Sequence, residues 1–156
     1  MMDYAEARPN IVSGDVILFR GRGPMAWLIR ILTHSEFDHA AVVWYVAGRV
    51  LIVESRMIGG VHISPLSTRL VDHATWIQSG IFLDEIRLAR AIRDLGLPYS
   101  YANDLRALEG KVAVPGAFEC AQLVAEVLDL PGDHGWTPEG IYQFFAGHPA
   151  VSITTA

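Results

Sequence analysis

The sequence predicts an α+β fold, in which a central, mainly antiparallel sheet of about five or six strands carries one packed helix. Two apolar runs, residues 37–46 and 49–55, flank the pair Ala47-Gly48, which is the pattern of a β-hairpin. After Cys120, apolar side chains recur at positions 123, 124, 127 and 128, which is helical spacing. The chain has 156 residues and 51% of them are hydrophobic, so we expect one domain over residues 1–156 with a single core.

The first third of the chain is predicted to hold one strand, one helix and the hairpin. Residues 1–12 are expected to be a loose lead-in. Residues 14–20 form a short apolar run that glycines end, which indicates a strand. Pro24 is well placed to open a helix over residues 24–32, because its missing N–H and fixed φ suit the first helical position. This helix is apolar nearly all round, so we expect it to be packed on more than one side.

The rest of the chain is predicted from the same signals, with Pro and Gly at the boundaries. Thr137 is a good cap and Pro138 a good first residue for a last helix. The predicted elements are strands over 61–64 and 74–78, an amphipathic helix over 84–95, a turn over 97–101, a short helix over 102–108, the Cys120 helix and a last helix through 145.

Charge and composition exclude several classes of protein. The formal net charge is −5 and the 12 Lys and Arg residues form no cluster, which argues against binding to nucleic acid. The longest apolar run, residues 40–47, is far shorter than the ~20 residues of a membrane-spanning helix. One cysteine cannot form an internal disulfide. Residues 1–9 do not have the pattern of a signal peptide, so we expect a soluble protein that is cytoplasmic when synthesised.

The hairpin brings a histidine and a glutamate together. If Ala47-Gly48 is a two-residue loop, His39 lies on the same face as Glu54, at ~7–8 Å between backbone positions, and the two side chains can bridge that separation. A three-residue loop would put Glu54 on the other face. Both strands have continuous rather than alternating apolar residues, which indicates that both of their faces are covered.

Cys120 is the only cysteine, and Pro115 and Gly116 place it at the start of a helix. There the unpaired backbone amides and the positive end of the helix dipole favour a thiolate. Cys120 also lies on the apolar stripe of that helix, and a lone cysteine in such a place is more often a small core residue. A carboxylate turned toward the thiol would disfavour the thiolate, so we expect Glu119 to point to solvent.

A cysteine nucleophile needs a base within hydrogen-bond reach and a third group that orients the base. The sequence offers Cys120 as nucleophile, His39 as base and Glu54 as orienting group, with a helix start beside two strands. No metal or cofactor is predicted, because His34 and His39 are not at a zinc spacing. Four further histidines are expected on the surface or in loops: His62, His73, His134 and His148.

Several segments, in their order along the chain, resemble one family. They are Gly14-Asp15-Val16-Ile17-Leu18-Phe19, Phe37-Asp38-His39-Ala40-Ala41-Val42-Val43, Ile52-Val53-Glu54, Gly60-Val61 with Pro65-Leu66, Gly96-Leu97-Pro98-Tyr99, and Phe118-Glu119-Cys120-Ala121-Gln122-Leu123-Val124. This order is similar to that of the circularly permuted NlpC/P60 group, the YiiX/YebB-like papain-fold hydrolases, in which the histidine strand precedes the cysteine helix. The resemblance covers roughly residues 13–145.

The resemblance implies a papain-like fold and a role for each matching residue. His39 corresponds to the catalytic histidine, Glu54 to the polar third member and Cys120 to the nucleophile. Tyr99 matches a tyrosine that lies beside the site and contacts substrate. The implied reaction is acyl transfer, in which His39 takes the proton of Cys120, the thiolate attacks a carbonyl, backbone amides stabilise the oxyanion and water releases the acyl-enzyme.

Two positions depart from the family pattern, namely Ala121, where relatives usually have serine, and Asp38, where serine or asparagine often precedes the histidine. Both affect the expected substrate contacts more than the chemistry. The first substrate hypothesis is a peptide amide of bacterial cell-wall peptidoglycan. Without a signal peptide, such an enzyme would need delivery by a phage particle, lysis or a specialised secretion apparatus.

Two alternatives stay open from the sequence. Permuted relatives include lipid acyltransferases, and the apolar residues 25–32 could edge a pocket for an acyl-lipid substrate. A non-catalytic binding domain could keep the fold while its site decays, although the retained Cys120, His39 and Glu54 argue against it. The sequence makes no prediction of oligomeric state.

Overall fold

A computed structural model describes residues 1–70, 73–100, 109, 119–132 and 135–155. The strands are β1 (Met2–Asp3), β2 (Val16–Arg20), β3 (His39–Val46), β4 (Arg49–Arg56), β5 (Gly60–Pro65), β6 (His73–Ile77) and β7 (Ala150–Thr154). The helices are α1 (Tyr4–Ala7), α2 (Pro24–Thr33), α3 (Glu85–Arg93), α4 (Cys120–Leu128) and α5 (Pro138–Phe144), with 3-10 turns at Arg8–Asn10 and Leu66–Thr68. The helix predicted over 102–108 lies outside the described residues.

The described strands form one seven-stranded sheet in the order β1-β7-β6-β2-β3-β4-β5. Each neighbouring pair is antiparallel except β1 with β7, which is parallel. The predicted α+β class with a mainly antiparallel sheet is therefore confirmed. The predicted number of strands is too low, because β1, with two residues, carries no recognisable pattern and the five-residue β7 is not among the predicted strands.

Residues 1–12 are ordered structure, and the prediction of a loose lead-in is wrong. β1 pairs with β7, and the carboxylate of Asp3 caps α1 by accepting a hydrogen bond from the Ala5 amide at 2.7 Å. Ala7 and Ile11 are almost fully buried. A two-residue strand whose partner lies at the other end of the chain gives no local signal, so only the tertiary structure reveals it.

The predicted hairpin is confirmed, including its two-residue loop. Val46 opposes Arg49 across the turn, and Ala47 and Gly48 both have positive φ, at 49° and 75°. Two left-handed central residues are the geometry of a type I′ turn, whose twist matches that of the strands it joins. The loop length fixes which side chains of β3 and β4 share a face.

The sheet buries both of its faces. One face, which we call the helix face, packs against α4 and α5, and its sheet residues include Val16, Leu18, Val42 and Val53. The other face, the N-terminal face, packs against the first residues of the chain and the segment after β5, and its sheet residues include Ile17, Phe19, Ala41 and Ile52. Successive residues of β2 and β3 alternate between the two faces, as the strand period of two requires.

α4 contacts β3 and β4 and buries Leu123, Val124 and Val127 on the helix face. α5 begins as predicted, because the hydroxyl of Thr137 accepts a hydrogen bond from the Gly140 amide at 3.0 Å.

α2 is only partly as predicted. Trp27 and Ile31 are 58% and 49% exposed, and the described residues do not cover that side of the helix. In the described parts of the chain, no helix has the length and hydropathy to span a bilayer.

Candidate active site

His39 and Glu54 are in direct contact, as the hairpin register predicts. Glu54 lies opposite Ala41 in the β3–β4 ladder, which puts its side chain on the N-terminal face together with that of His39. The distance from His39 Nε2 to Glu54 Oε2 is 2.7 Å. The prediction that the two side chains bridge neighbouring strands is confirmed.

This contact sets the protonation of the imidazole. A carboxylate can only accept a hydrogen bond, so Nε2 of the neutral ring carries the proton and Nδ1 keeps a lone pair. The ring of Phe19 lies 5.6 Å from the ring of His39 and supports it from β2. The side chain of His39 is 14% exposed. Its Nδ1 therefore has the electronic state that a general base requires.

Glu54 is fully buried and has several partners besides His39. Oε1 accepts a hydrogen bond from the Ser64 hydroxyl at 2.8 Å, and Arg69 Nε lies 3.2 Å from the same oxygen. His62 Nε2 is 3.4 Å from Oε1. Burial alone would raise the pKa of Glu54, but the hydrogen bond and charge of His39, the charge of Arg69 and the Ser64 hydroxyl together lower it to about 2.

Sequence reasoning missed the partners of Glu54. His62 is not a surface or loop residue, because it lies on β5 directly opposite Glu54 and is half-buried. A signal for His62 and Ser64 did exist, since residues two apart on a predicted strand share a face. Arg69 follows the 3-10 turn after β5, and no local pattern indicates where such a residue points. Of the other histidines, His73 and His148 are exposed, and His134 lies outside the described residues.

The pKa of Glu54 predicts how stability depends on pH. A carboxyl whose pKa falls from 4.5 when unfolded to about 2 when folded stabilises the fold above pH 4.5, and the contribution is lost as the pH falls toward 2. The difference corresponds to about 3 kcal/mol of unfolding free energy. Urea unfolding between pH 6 and pH 2.5 measures it. Glu54→Gln should have a flatter acid limb, and an equally steep limb in that variant would contradict the assignment.

Cys120 is the first residue of α4, as predicted, and it is 4% exposed. Glu119 does not point to solvent, so that prediction is wrong. Its carboxylate is buried and turns back onto the first turn of α4, where it accepts hydrogen bonds from the amides of Ala121, at 3.0 Å, and Gln122. Glu119 Oε2 also lies 3.7 Å from Cys120 Sγ. Satisfying two orphan amides at the helix start outweighs hydration of the carboxylate.

The turn of Glu119 has two chemical consequences. Two backbone amides next to Cys120, those of Ala121 and Gln122, are already bonded to the Glu119 carboxylate and are not free for an oxyanion. A negative charge beside Sγ also opposes formation of a thiolate, which offsets the favourable end of the helix dipole.

The predicted site residues are divided between the two faces of the sheet. α4 covers the helix face, whereas the His39–Glu54 pair lies on the N-terminal face. His39 is the first residue of β3 and Cys120 the first residue of α4, so both stand at the ends of their elements. The structure therefore joins His39 to Glu54 directly and places Cys120 on the helix that packs across the other side of β3.

Tyr99 follows a segment that is hydrogen-bonded to β5. Val61 N–H donates to Leu97 O at 2.9 Å, and Gly96 N–H donates to Val61 O at 2.8 Å. The side chain of Tyr99 is half-buried. Its substrate contact stays a prediction. Within the described residues, no group of three or more His, Cys, Asp or Glu side chains is arranged to hold a metal ion.

The sheet with its cysteine-bearing helix defines a papain-like α+β fold. Among solved structures, the chain is similar to the metalloprotein YiiX from Escherichia coli O157:H7, with a TM-score of 0.60 and 19% sequence identity. The match covers 74% of this chain and 63% of YiiX, so the chain spans less than two thirds of that protein. No protein-family model and no curated protein sequence matches the chain. At this identity the likeness establishes the fold and not the activity.

Proposed function

We propose that the chain is a cysteine hydrolase of the permuted NlpC/P60 group, which cleaves an amide bond with Cys120, His39 and Glu54. The observation that carries the proposal is the 2.7 Å bond from His39 Nε2 to the buried carboxylate of Glu54. It leaves Nδ1 as the basic nitrogen of a ring whose orientation is fixed. A papain-like fold with a cysteine at a helix start supports the same assignment.

The reaction follows from these groups. His39 Nδ1 takes the proton of Cys120, and Sγ attacks the carbonyl carbon of the amide. The imidazolium, stabilised by Glu54, then donates its proton to the leaving amine as the C–N bond breaks. Water attacks the thioester and releases the acid, which regenerates the thiol and the neutral ring.

The first step requires Cys120 Sγ within hydrogen-bond reach of His39 Nδ1. His39 is the first residue of β3 and Cys120 the first residue of α4, so both side chains stand at the ends of their elements. The first step also requires the Glu119 carboxylate to turn away from Sγ, which frees the amides of Ala121 and Gln122 for the oxyanion. Substrate binding would supply the free energy for this rearrangement.

The proposed substrate class is a peptide amide of bacterial peptidoglycan, on the strength of the family resemblance. A non-catalytic binding domain is the second candidate, and two observations favour it. The Glu119 carboxylate lies against the thiol, and the His39–Glu54 pair lies on the face that α4 does not cover. A lipid acyl substrate is the third, favoured by the exposed Trp27 and Ile31, which lie one turn apart on α2.

Incubation with muropeptides and with phospholipid vesicles, followed by mass spectrometry, tests the proposal. Cys120→Ala is the matched variant, because it removes the sulfur and changes little else. We expect muropeptide cleavage by the wild type and none by the variant. Cleavage of phospholipid but not of muropeptides would favour the acyl-lipid substrate. Binding of muropeptides or phospholipid without cleavage would establish the binding-domain candidate. Cleavage by both proteins would overturn the mechanism.

A further inference from the structure

The Glu54 carboxylate has more partners than an orienting group for one histidine needs. Arg69 Nε lies 3.2 Å from Oε1 and 3.3 Å from Oε2, so it spans both oxygens. Ser64 and His62 approach Oε1, and His39 approaches Oε2. The carboxylate itself has no exposed surface. Its negative charge must therefore be balanced by neighbouring side chains rather than by water.

His62 cannot balance that charge while it is neutral. Its Nδ1 lies 2.9 Å from the carbonyl oxygen of Gly60, which can only accept, so Nδ1 carries the proton of the neutral ring. Nε2 then presents a lone pair to Glu54 Oε1 at 3.4 Å. Only the protonated form of His62 attracts the carboxylate.

Arg69 keeps its charge at every pH at which the protein is folded. It is also held firmly in place. Leu66 and Leu70, on either side of it, are buried in the core of the N-terminal face, and the Arg69 amide closes the 3-10 turn onto Leu66 O at 2.9 Å. The guanidinium carbon lies 5.3 Å above the ring of Phe19, the same ring that supports His39.

We propose that Arg69 is a positioning residue of this site, which keeps Glu54 ionised and aimed at His39 Nε2 while His39 itself is neutral. A base must be neutral before it can accept a proton, and in that state neither histidine compensates Glu54. Without Arg69, the buried carboxylate would keep both ring nitrogens of His39 protonated, and a ring in that state cannot take up another proton. The inference rests on the proposed function for its catalytic meaning.

Nuclear magnetic resonance of the His39 ring nitrogens, followed through a pH titration, tests this role without any substrate. In Arg69→Gln we expect the imidazolium form of His39 to persist to a pH about one unit higher than in the wild type. Arg69→Lys, which restores a cation, should return the titration toward the wild-type curve. Arg49→Gln, at the far end of β4, is the matched control and should leave it unchanged. An unchanged titration in Arg69→Gln would overturn the proposal.

Activity and folding supply two further readouts. If hydrolysis is found, Arg69→Gln should lower kcat about tenfold at neutral pH, shift the acid limb of the pH–rate profile upward and leave KM nearly unchanged. If no hydrolysis is found but the titration shifts, the proposed function fails and the positioning role stands. If Arg69→Gln does not fold, the double variant Glu54→Gln/Arg69→Gln should be more stable than Arg69→Gln, because it no longer buries an uncompensated carboxylate. Equal instability of the single and the double variant would overturn the proposal.

Discussion

Replacing His39 by glutamine is expected to lower kcat/KM for hydrolysis by roughly 10²–10⁴-fold, the usual contribution of a general base. The fold should survive, because the glutamine amide can still donate a hydrogen bond to Glu54. The alkylation rate of Cys120 by iodoacetamide should fall as well, since a thiolate without an imidazolium partner forms less readily. Steady-state kinetics and mass spectrometry of the alkylated chain measure the two effects.

His73→Gln is the matched control for this prediction. His73 is likewise the first residue of a strand, and it is exposed, so its replacement should leave both rates unchanged. Equal alkylation and equal hydrolysis in His39→Gln and the wild type would mean that the imidazole does not act on the thiol, which would overturn the proposed mechanism.

Glu119→Gln is expected to change the alkylation rate in the opposite direction. The glutamine oxygen can still accept from a first-turn amide of α4, but the negative charge 3.7 Å from Sγ is gone. The thiolate then forms more readily, and the rate should rise on the order of tenfold, the effect of removing one nearby like charge. A fall in that rate would mean that Glu119 assists the thiol rather than opposing it.

Local pattern was sufficient for the parts of the fold that depend on neighbours in sequence. The apolar runs and the two-residue loop gave the β3–β4 register, and the register alone paired His39 with Glu54. The capping signal of Thr137 placed the start of α5. Each of these features is decided within about fifteen residues of chain, where periodicity and turn chemistry apply directly.

The face that α4 covers could not be predicted, and the reason is physical. Residues 40–43 of β3 are all fully buried, so both faces of this strand are apolar. An alternating strand would have marked one face for the helix and one for solvent, whereas a continuous apolar strand marks neither. The pairing of β1 with β7 was not predicted either, because it joins two segments that are far apart in the sequence and share no local pattern.

The position of Arg69 and the direction of Glu119 were also beyond the sequence. Arg69 reaches Glu54 because the 3-10 turn after β5 folds back over the N-terminal face, and that path depends on the burial of Leu66 and Leu70. Glu119 turns inward because two orphan amides compete with water for its carboxylate. A competition between hydration and capping is decided by the whole local geometry and not by residue type.

Glu54→Ala is expected to lower the free energy of unfolding by about 3–5 kcal/mol, because removing one member of a buried ion pair leaves its partners uncompensated. Arg69 and the Ser64 hydroxyl would lose their acceptor, a carboxylate that itself has no exposed surface. Urea unfolding at pH 7 measures the loss, and Glu36→Ala, at an exposed glutamate, should stay within about 0.5 kcal/mol of the wild type.

A comparison of Glu54→Ala with Glu54→Gln shows whether Glu54 serves only the fold or also catalysis. If Glu54 orients His39, the isosteric Glu54→Gln should recover the part of the lost stability that comes from packing, but not the about 3 kcal/mol that comes from the charge. Hydrolysis should stay impaired, because an amide cannot stabilise the imidazolium as a carboxylate does. If Glu54 serves the fold alone, activity should return together with stability. The binding-domain candidate predicts that Glu54→Gln still binds any ligand of this face, since a neutral side chain of the same shape preserves the packing around Phe19 and Ser64.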